Sequence, residues 1–402
     1  MKRLLTWFVV AGLAAGADTQ RGKVTVAGRD VEYVFVRRDV AAPLAIVLFT
    51  SPDPALNAIG AKNWNLLVPQ TAIAGDWGVK ALEALAAEAG KDQKVLIDHQ
   101  YLIAAGDLSW MAFYAASRSP ALFAGTLAFG GNPKAAIDSN RLFGANTAET
   151  PVYWVHPQGN PDVLGRIRSR LTAAGFRFEI PESLEAGLAK LGERRQEAFP
   201  ATVDCETGNP AFGRCFWLEI VSLDAAKRND AFPATRVAPG SGAFLGVGPF
   251  GYDPGAPGPG VEVGWLPGDY KGPLQRGDRI VALEGKTVDN AAAYMNLMDE
   301  YREERDVVVM VQRGKERKRL ETRILLPRRE ESFTGRAQGQ YLPDSKEILI
   351  GSRGVGELRV SVPPQWAGAA INWNGETAAR DVKEGCWDLG PAGGKPCPAP
   401  AR

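Results

Sequence analysis

Histidine is nearly missing from this chain: His99 and His156 are the only two in 402 residues. Neither has finger-like spacing, which argues against a zinc site, and any reaction needing an imidazole base has only these two to draw on. An excess of one charge is missing too. Forty-seven basic residues face 46 acidic ones, a net +1, so there is no broad field to attract nucleic acid or an anionic membrane. Beyond the first residues no stretch is long and apolar enough to cross a bilayer. Cysteine is limited to four residues, too few for a dense disulfide scaffold.

What is present suits a globular protein of two or three domains, since 45% of the residues are hydrophobic and a chain of this length can bury substantial cores. Lys2 and Arg3, the apolar run "LLTWFVVAGLAAG" and the small-residue site Ala15-Gly16-Ala17 form the three-part pattern of a secretory leader, expected over residues 1–17; an uncleaved anchor is the second choice. Export makes the cysteines informative, because an oxidising compartment favours disulfides. Cys205 and Cys215 flank the turn-rich "ETGNPAFGR", and Cys386 and Cys397 flank "WDLGPAGGKP". Of the three possible arrangements, neighbour pairing is preferred.

From residue 24 to about 200, β-rich apolar segments such as "VEYVFVRR" and "APLAIVLFTS" alternate with helical ones such as "VKALEALAAEAG" and "WMAFYAASRS", the pattern of a wound α/β sheet. Past Pro200 the texture turns to strands, glycines and prolines. The expected division is 18–200, 201–241, 242–327 and 328–402.

The stretch "YLIAAGDLSWMAFYAASRSP" at 101–120 reads as strand, sharp turn and helix. With its surroundings it resembles the secreted α/β-hydrolase esterases of the polyhydroxybutyrate-depolymerase and feruloyl-esterase kind, over about residues 24–200. In that family a G-x-S-x-G elbow exposes the nucleophilic serine above the sheet. Here the five positions fall on Ala104, Ala105, Gly106, Asp107 and Leu108. The nucleophile position is Gly106, which has no side chain. Ser109, inside the first helical turn, is read as structural. The His-Gly pair that leads to an oxyanion donor is Phe49-Thr50, and Asn160 stands where the acid is expected, with Asp162 two residues on. No histidine follows residue 156, although the base follows the acid in this fold. The resemblance therefore implies the hydrolase fold without its reaction, and no residue is assigned a catalytic role. Asp107, Trp110, Trp154 and Asp162 are expected near the old crevice, where packing and solvation explain them equally well.

Residues 242–327 contain "GAFLGVGPFG", "LQRGDRIVALEGKTV" and "VVVMVQRGKERKRLETRILLP". This stretch resembles a bacterial, HtrA-like PDZ domain, which implies a small β-sandwich with helices that holds a peptide end by strand addition. The resemblance places the carboxylate loop at Phe244, Leu245, Gly246 and Val247. A helix is expected after Asp289 or Asn290, either of which can cap it. Tyr294, Leu297 and Tyr301 share one of its faces, and Ala291, Met295 and Met298 share the other, which is taken as the groove face. The run "RGKERKRLETR" alternates in sign and reads as a solvated hairpin. The flanking segments "DCETGNPAFGRCFWLEIVSLD" and "GELRVSVPPQWAGAAINWNG" are either one small β-domain with the module inserted or separate decorations.

The expectation is an exported interaction protein with a protein or peptide ligand, no cofactor, no metal, no nucleic acid and no membrane span after leader removal. The alternative is a secreted esterase or peptidase-like hydrolase that pairs Ser109 or another serine with His156 or His99 and an acid such as Asp162. A carbohydrate-binding reading draws on the ten tryptophans, but scattered aromatics are more often core.

Overall fold

The computed structural model describes residues 18–50, 57–159, 161–246, 251–252, 258–266, 268, 270–327 and 333–398. The expected leader at 1–17 and the loop residue Val247 lie outside the described residues. The chain forms two compact units, one of residues 1–159, 166–238 and 332–402 and the other of residues 160–165 and 239–331.

In the first unit, β1 (Asp18–Val26), β2 (Arg29–Arg37), β3 (Ala42–Leu48), β4 (Asn65–Pro69), β5 (Val95–Ala105), β6 (Gly125–Phe129), β7 (Val152–Val155) and β8 (Phe178–Glu179) join in the order β1-β2-β4-β3-β5-β6-β7-β8. β2 pairs antiparallel with both of its neighbours, and the pairs from β4 through β8 are parallel. This order, with one reversed strand near the edge, is the α/β-hydrolase arrangement. Its central strands are buried along their lengths, as "LAIVL" in β3 shows, because helices cover both faces of a parallel sheet. α1 (Gly75–Ala89) buries Val79, Leu82, Leu85 and Ala86. α2 (Trp110–Arg118) is buried at every residue after Trp110. α3 (Pro161–Ala173), which belongs to this unit from Arg166 on, and α4 (Leu184–Gly192) follow, and the Ser183 hydroxyl caps α4 by accepting from the Ala186 N–H.

The segments on either side of the second unit share sheets. β9 (Thr202–Thr207) pairs with β19 (Gly335–Leu342), bringing Cys205 opposite Ala337. β11 (Leu218–Leu223) pairs with β21 (Val355–Val362). With β10 (Arg214–Cys215), β20 (Glu347–Arg353), β22 (Ala369–Trp373), β23 (Glu376–Val382), β24 (Gly385–Gly390) and β25 (Gly393–Pro396) they build two five-stranded sheets. These enclose one core around Trp217, Ile220, Ile350, Val360, Trp366 and Ile371. Of the two sequence alternatives for these flanks, the shared sheets are the one observed. Both neighbouring cysteine pairs form disulfides, Cys205–Cys215 and Cys386–Cys397.

The two parts of this unit are tied together by matched polar groups. Asn146 donates to the Glu206 carbonyl at 2.9 Å and accepts from the Glu206 N–H at 2.7 Å. Phe212 packs under the buried Arg118 guanidinium, 4.0 Å from its ring centre.

The second unit holds β12 (Phe244–Leu245), β13 (Gly251–Tyr252), β14 (Val261–Trp265), β15 (Arg279–Leu283), β16 (Lys286–Thr287), β17 (Arg305–Arg313) and β18 (Glu316–Leu325), with α5 (Ala291–Met298). The strands follow one connected antiparallel order, β12-β18-β17-β15-β14-β13, with β16 on β15. The described strands thus form a single hydrogen-bonded path with β12 and β13 at its two ends. Gly277, at φ +86°, makes the turn into β15, a conformation that costs glycine least. The basic run forms the β17–β18 hairpin, turning between Arg313 and Glu316.

Candidate functional site

β5 ends at Ala105, and the chain turns at Gly106 into a short 3-10 segment that leads to α2. Gly106 has φ +58°, the left-handed region that L side chains seldom adopt. A Cβ built on it would meet nothing within 4 Å. The turn thus has the geometry of an elbow, and the space above it is open.

Gly106 belongs to a crevice of about 360 Å³ lined by Asp107, Ser109, Trp110, Asn132, Lys134 and Asp138, among others. Gly131, at φ +60°, closes one side. A Cβ there would lie 2.3 Å from Ser109 Oγ and 2.6 Å from the Gly106 carbonyl oxygen, so only glycine lets this turn approach the elbow. Ser109 is 1% exposed and donates its N–H to the Gly106 carbonyl. Lys134 is ion-paired with Asp138. Trp110 lines the crevice, whereas Trp154 is fully buried and donates its indole N–H to the Gly131 carbonyl at 3.3 Å. Asp162 is exposed in the first turn of α3. Phe49 packs partly buried against the core and Thr50 is exposed.

The two histidines occupy different ends of the sheet. His99 precedes Gly106 by seven residues along β5, roughly 23 Å of extended chain. Its Nδ1 lies 2.7 Å from Asp98 Oδ1, and Arg195 donates to the other Asp98 oxygen at 2.6 Å. The hydrogen bond with His99, supported by Arg195, holds the Asp98 carboxyl below the usual carboxylate range. His156, at φ +49°, follows β7 and is exposed with its ring edge-on to Phe129. Ala105, Phe129 and Val155 are register partners across β5, β6 and β7. His156 therefore follows a strand two places from the one that ends at the elbow, a backbone spacing of about 10 Å between those strands. Among the described residues no hydrogen bond joins a serine hydroxyl to either imidazole.

In the second unit, Phe244 is half-buried and Leu245 fully buried. Gly246, at φ +77°, donates its N–H to the Arg323 carbonyl at 2.8 Å. Of the two candidate caps it is Asn290 that caps α5, accepting from the Ala293 N–H at 2.9 Å. Tyr294 and Met298 enter the core, with Ala291, Leu297 and Tyr301 packed at its edge. Met295 is 44% exposed. The expected groove face is therefore split, because Met298 turns inward with Tyr294 at the i, i+4 spacing of one helical face.

Among the described residues the grouping with metal-ligand spacing is Cys386, Asp388 and Cys397. Its two sulfurs are already joined in a disulfide, which removes the thiolates a metal would need. No described helix is long and apolar enough to cross a membrane.

No protein-family model matches the sequence, and no curated protein matches it. Solved structures similar to it include esterases and peptidases. A thermostable esterase from Pseudomonas putida is 12% identical, with 45% of this chain and 79% of that one covered and a TM-score of 0.31. For a fungal esterase from Rhizomucor miehei the values are 11%, 48%, 84% and 0.33. For the acylaminoacyl peptidase of Pyrococcus horikoshii they are 8%, 44%, 40% and 0.30. The strand order, with β2 antiparallel to both neighbours and the pairs from β4 through β8 parallel, is by itself that of the α/β-hydrolase fold.

Proposed function

We propose that this protein is a non-hydrolytic binding protein, in which an α/β-hydrolase scaffold without acyl-transfer groups accompanies a module that holds an extended peptide or protein C-terminus. The observation that carries this reading is Gly106: an elbow with positive φ and open space, where the reaction needs an oxygen. Nucleophile and base are both out of place, and each alone would remove most of the rate enhancement. The test is a fluorophosphonate probe on the full chain. No hydroxyl should be labelled. Gly106→Ser should also remain without ester cleavage, because the nearer imidazole is two strands away; gain of turnover in that variant would show that an imidazole reaches the elbow.

The peptide-binding part of the proposal rests on the sheet order of the second unit. β13 ends that order among the described strands, and an end strand presents backbone groups for strand addition. Met295, exposed on α5, supplies an apolar contact for a ligand's last side chain. Met295→Asp should weaken a peptide ending in an apolar residue by roughly tenfold, with an unchanged circular dichroism spectrum. Titration calorimetry with a C-terminal peptide library checks this, and equal affinity in both proteins would remove Met295 from the site. The two disulfides support an oxidising, exported location, with residues 1–17 as the leader.

A second reading, a hydrolase with a non-standard arrangement, is favoured by the strand order and by the crevice above Gly106. Covalent labelling of wild-type protein at a single hydroxyl would establish it.

A further inference from the structure

A cleft of about 430 Å³ opens on the outer face of the sheet that contains β9, β19 and β20. Strand alternation sets its composition. Val203, Ala337, Ile348 and Ile350 point into the core, so their neighbours Thr202, Asp204, Gln338, Gln340 and Leu349 face outward. The register aligns them in two adjacent rows. Gln338 is opposite Asp204 on one side and Gly351 on the other, and Gln340 is opposite Thr202 and Leu349.

Phe232 forms a further wall of the cleft. The turn at Asn229 holds it, through the Phe232 N–H to the Asn229 carbonyl and the Ala231 N–H to Asn229 Oδ1. A Cβ on Gly351 would lie 2.4 Å from Phe232 Cζ, so the ring occupies this wall only because residue 351 is glycine.

The one charge in the lining is already balanced. Arg336 grips both oxygens of Asp204, at 2.9 and 2.5 Å, and Gln338 donates to the second at 2.8 Å. What the cleft offers a ligand is therefore close to neutral: amides that donate and accept, a hydroxyl, a carboxylate with its charge compensated, and the apolar surfaces of Phe232 and Leu349. An anionic ligand would meet Asp204 with no cation to spare. A sugar chain has the complementary chemistry, with hydroxyls that both donate and accept and C–H faces that pack on an aromatic ring.

We infer that this cleft, lined by residues of the first unit and sharing none with the elbow crevice, is a binding site for a neutral oligosaccharide. The experiment is titration of the full chain with neutral hexasaccharides (cello-, xylo-, malto-, manno- and chitohexaose) and with a heparin hexasaccharide as the anionic control. Saturable binding of at least one neutral sugar is expected, with no heparin binding. Gln340→Ala, at an exposed position, and Phe232→Ala should each weaken it by about five- to tenfold, and the Gln340 variant should keep the wild-type melting temperature. Failure of every neutral sugar to bind, preference for heparin, or affinity untouched by both substitutions would overturn the assignment. None of these outcomes depends on whether the second unit takes peptides.

Discussion

Asp278→Ala is expected to destabilise the second unit by about 1.5–3 kcal/mol, the cost of removing a buried carboxylate that accepts hydrogen bonds from a partly exposed arginine and a backbone amide. The Asp278 side chain is fully buried. Arg313 donates to both of its oxygens, at 2.6 and 2.8 Å, and the Gln275 N–H donates at 2.8 Å. Removing the carboxylate leaves the Gln275 N–H without its acceptor and the partly exposed guanidinium with the Pro273 carbonyl, 3.1 Å away. Burial by itself would push this carboxyl up, but the Arg313 hydrogen bonds and charge, together with the Gln275 N–H, outweigh burial and leave it below its ordinary value.

The sign of the pH effect follows. A carboxyl depressed in the native state contributes stability that is fully present above the unfolded value, near pH 4, and lost as pH falls through the native one. Wild-type protein should therefore lose stability below about pH 4 more steeply than Asp278→Ala. Amide hydrogen exchange over residues 261–325, followed at pH 7 and in acid, reads this out locally. Equal exchange in wild type and variant at pH 7 would show that the pair does not hold the unit together.

Trp217→Ala is the companion expectation for the first unit, with a loss of about 3–5 kcal/mol. The ring is 1% exposed, donates to the Pro200 carbonyl at 2.8 Å and stands edge-on to Trp366, with ring centres 5.2 Å apart. Trp366 in turn stacks on Tyr341 at 4.5 Å. Gly339 makes room for the indole, since a Cβ there would lie 2.3 Å from Trp217 Cη2. The alanine variant leaves a void that the surrounding strands cannot fill, because their disulfide and sheet pairings restrain collapse. Chemical denaturation followed by tryptophan fluorescence and by far-UV circular dichroism measures the loss; a midpoint unchanged from wild type would mean that the site repacks freely.

Much of the first unit was legible along the chain. Apolar runs mark β3 and β5, helical periodicity marks α1 and α2, and the glycine in the 104–108 turn carries the positive φ that the elbow register requires. β4, "NLLVP", carries no alternation of apolar and polar residues and is buried throughout except at its last residue, so periodicity alone does not mark it. Helical spacing alone also leaves open which stripe of α5 faces the sheet. The packing around Leu283, Val288 and Ile324 puts Tyr294 and Met298 inside and leaves Met295 out.

From consecutive residues alone one can read the near-zero net charge, the shortage of imidazole, the glycine at the elbow and the neighbouring cysteine pairs, because composition and turn chemistry are local. Tertiary structure decided the rest: that β9 joins β19 across the second unit, that Arg336 reaches back 132 residues to Asp204, and that a polar cleft forms where those strands meet. Such pairings depend on which apolar faces close over a common core, and no window of sequence contains both sides of that choice.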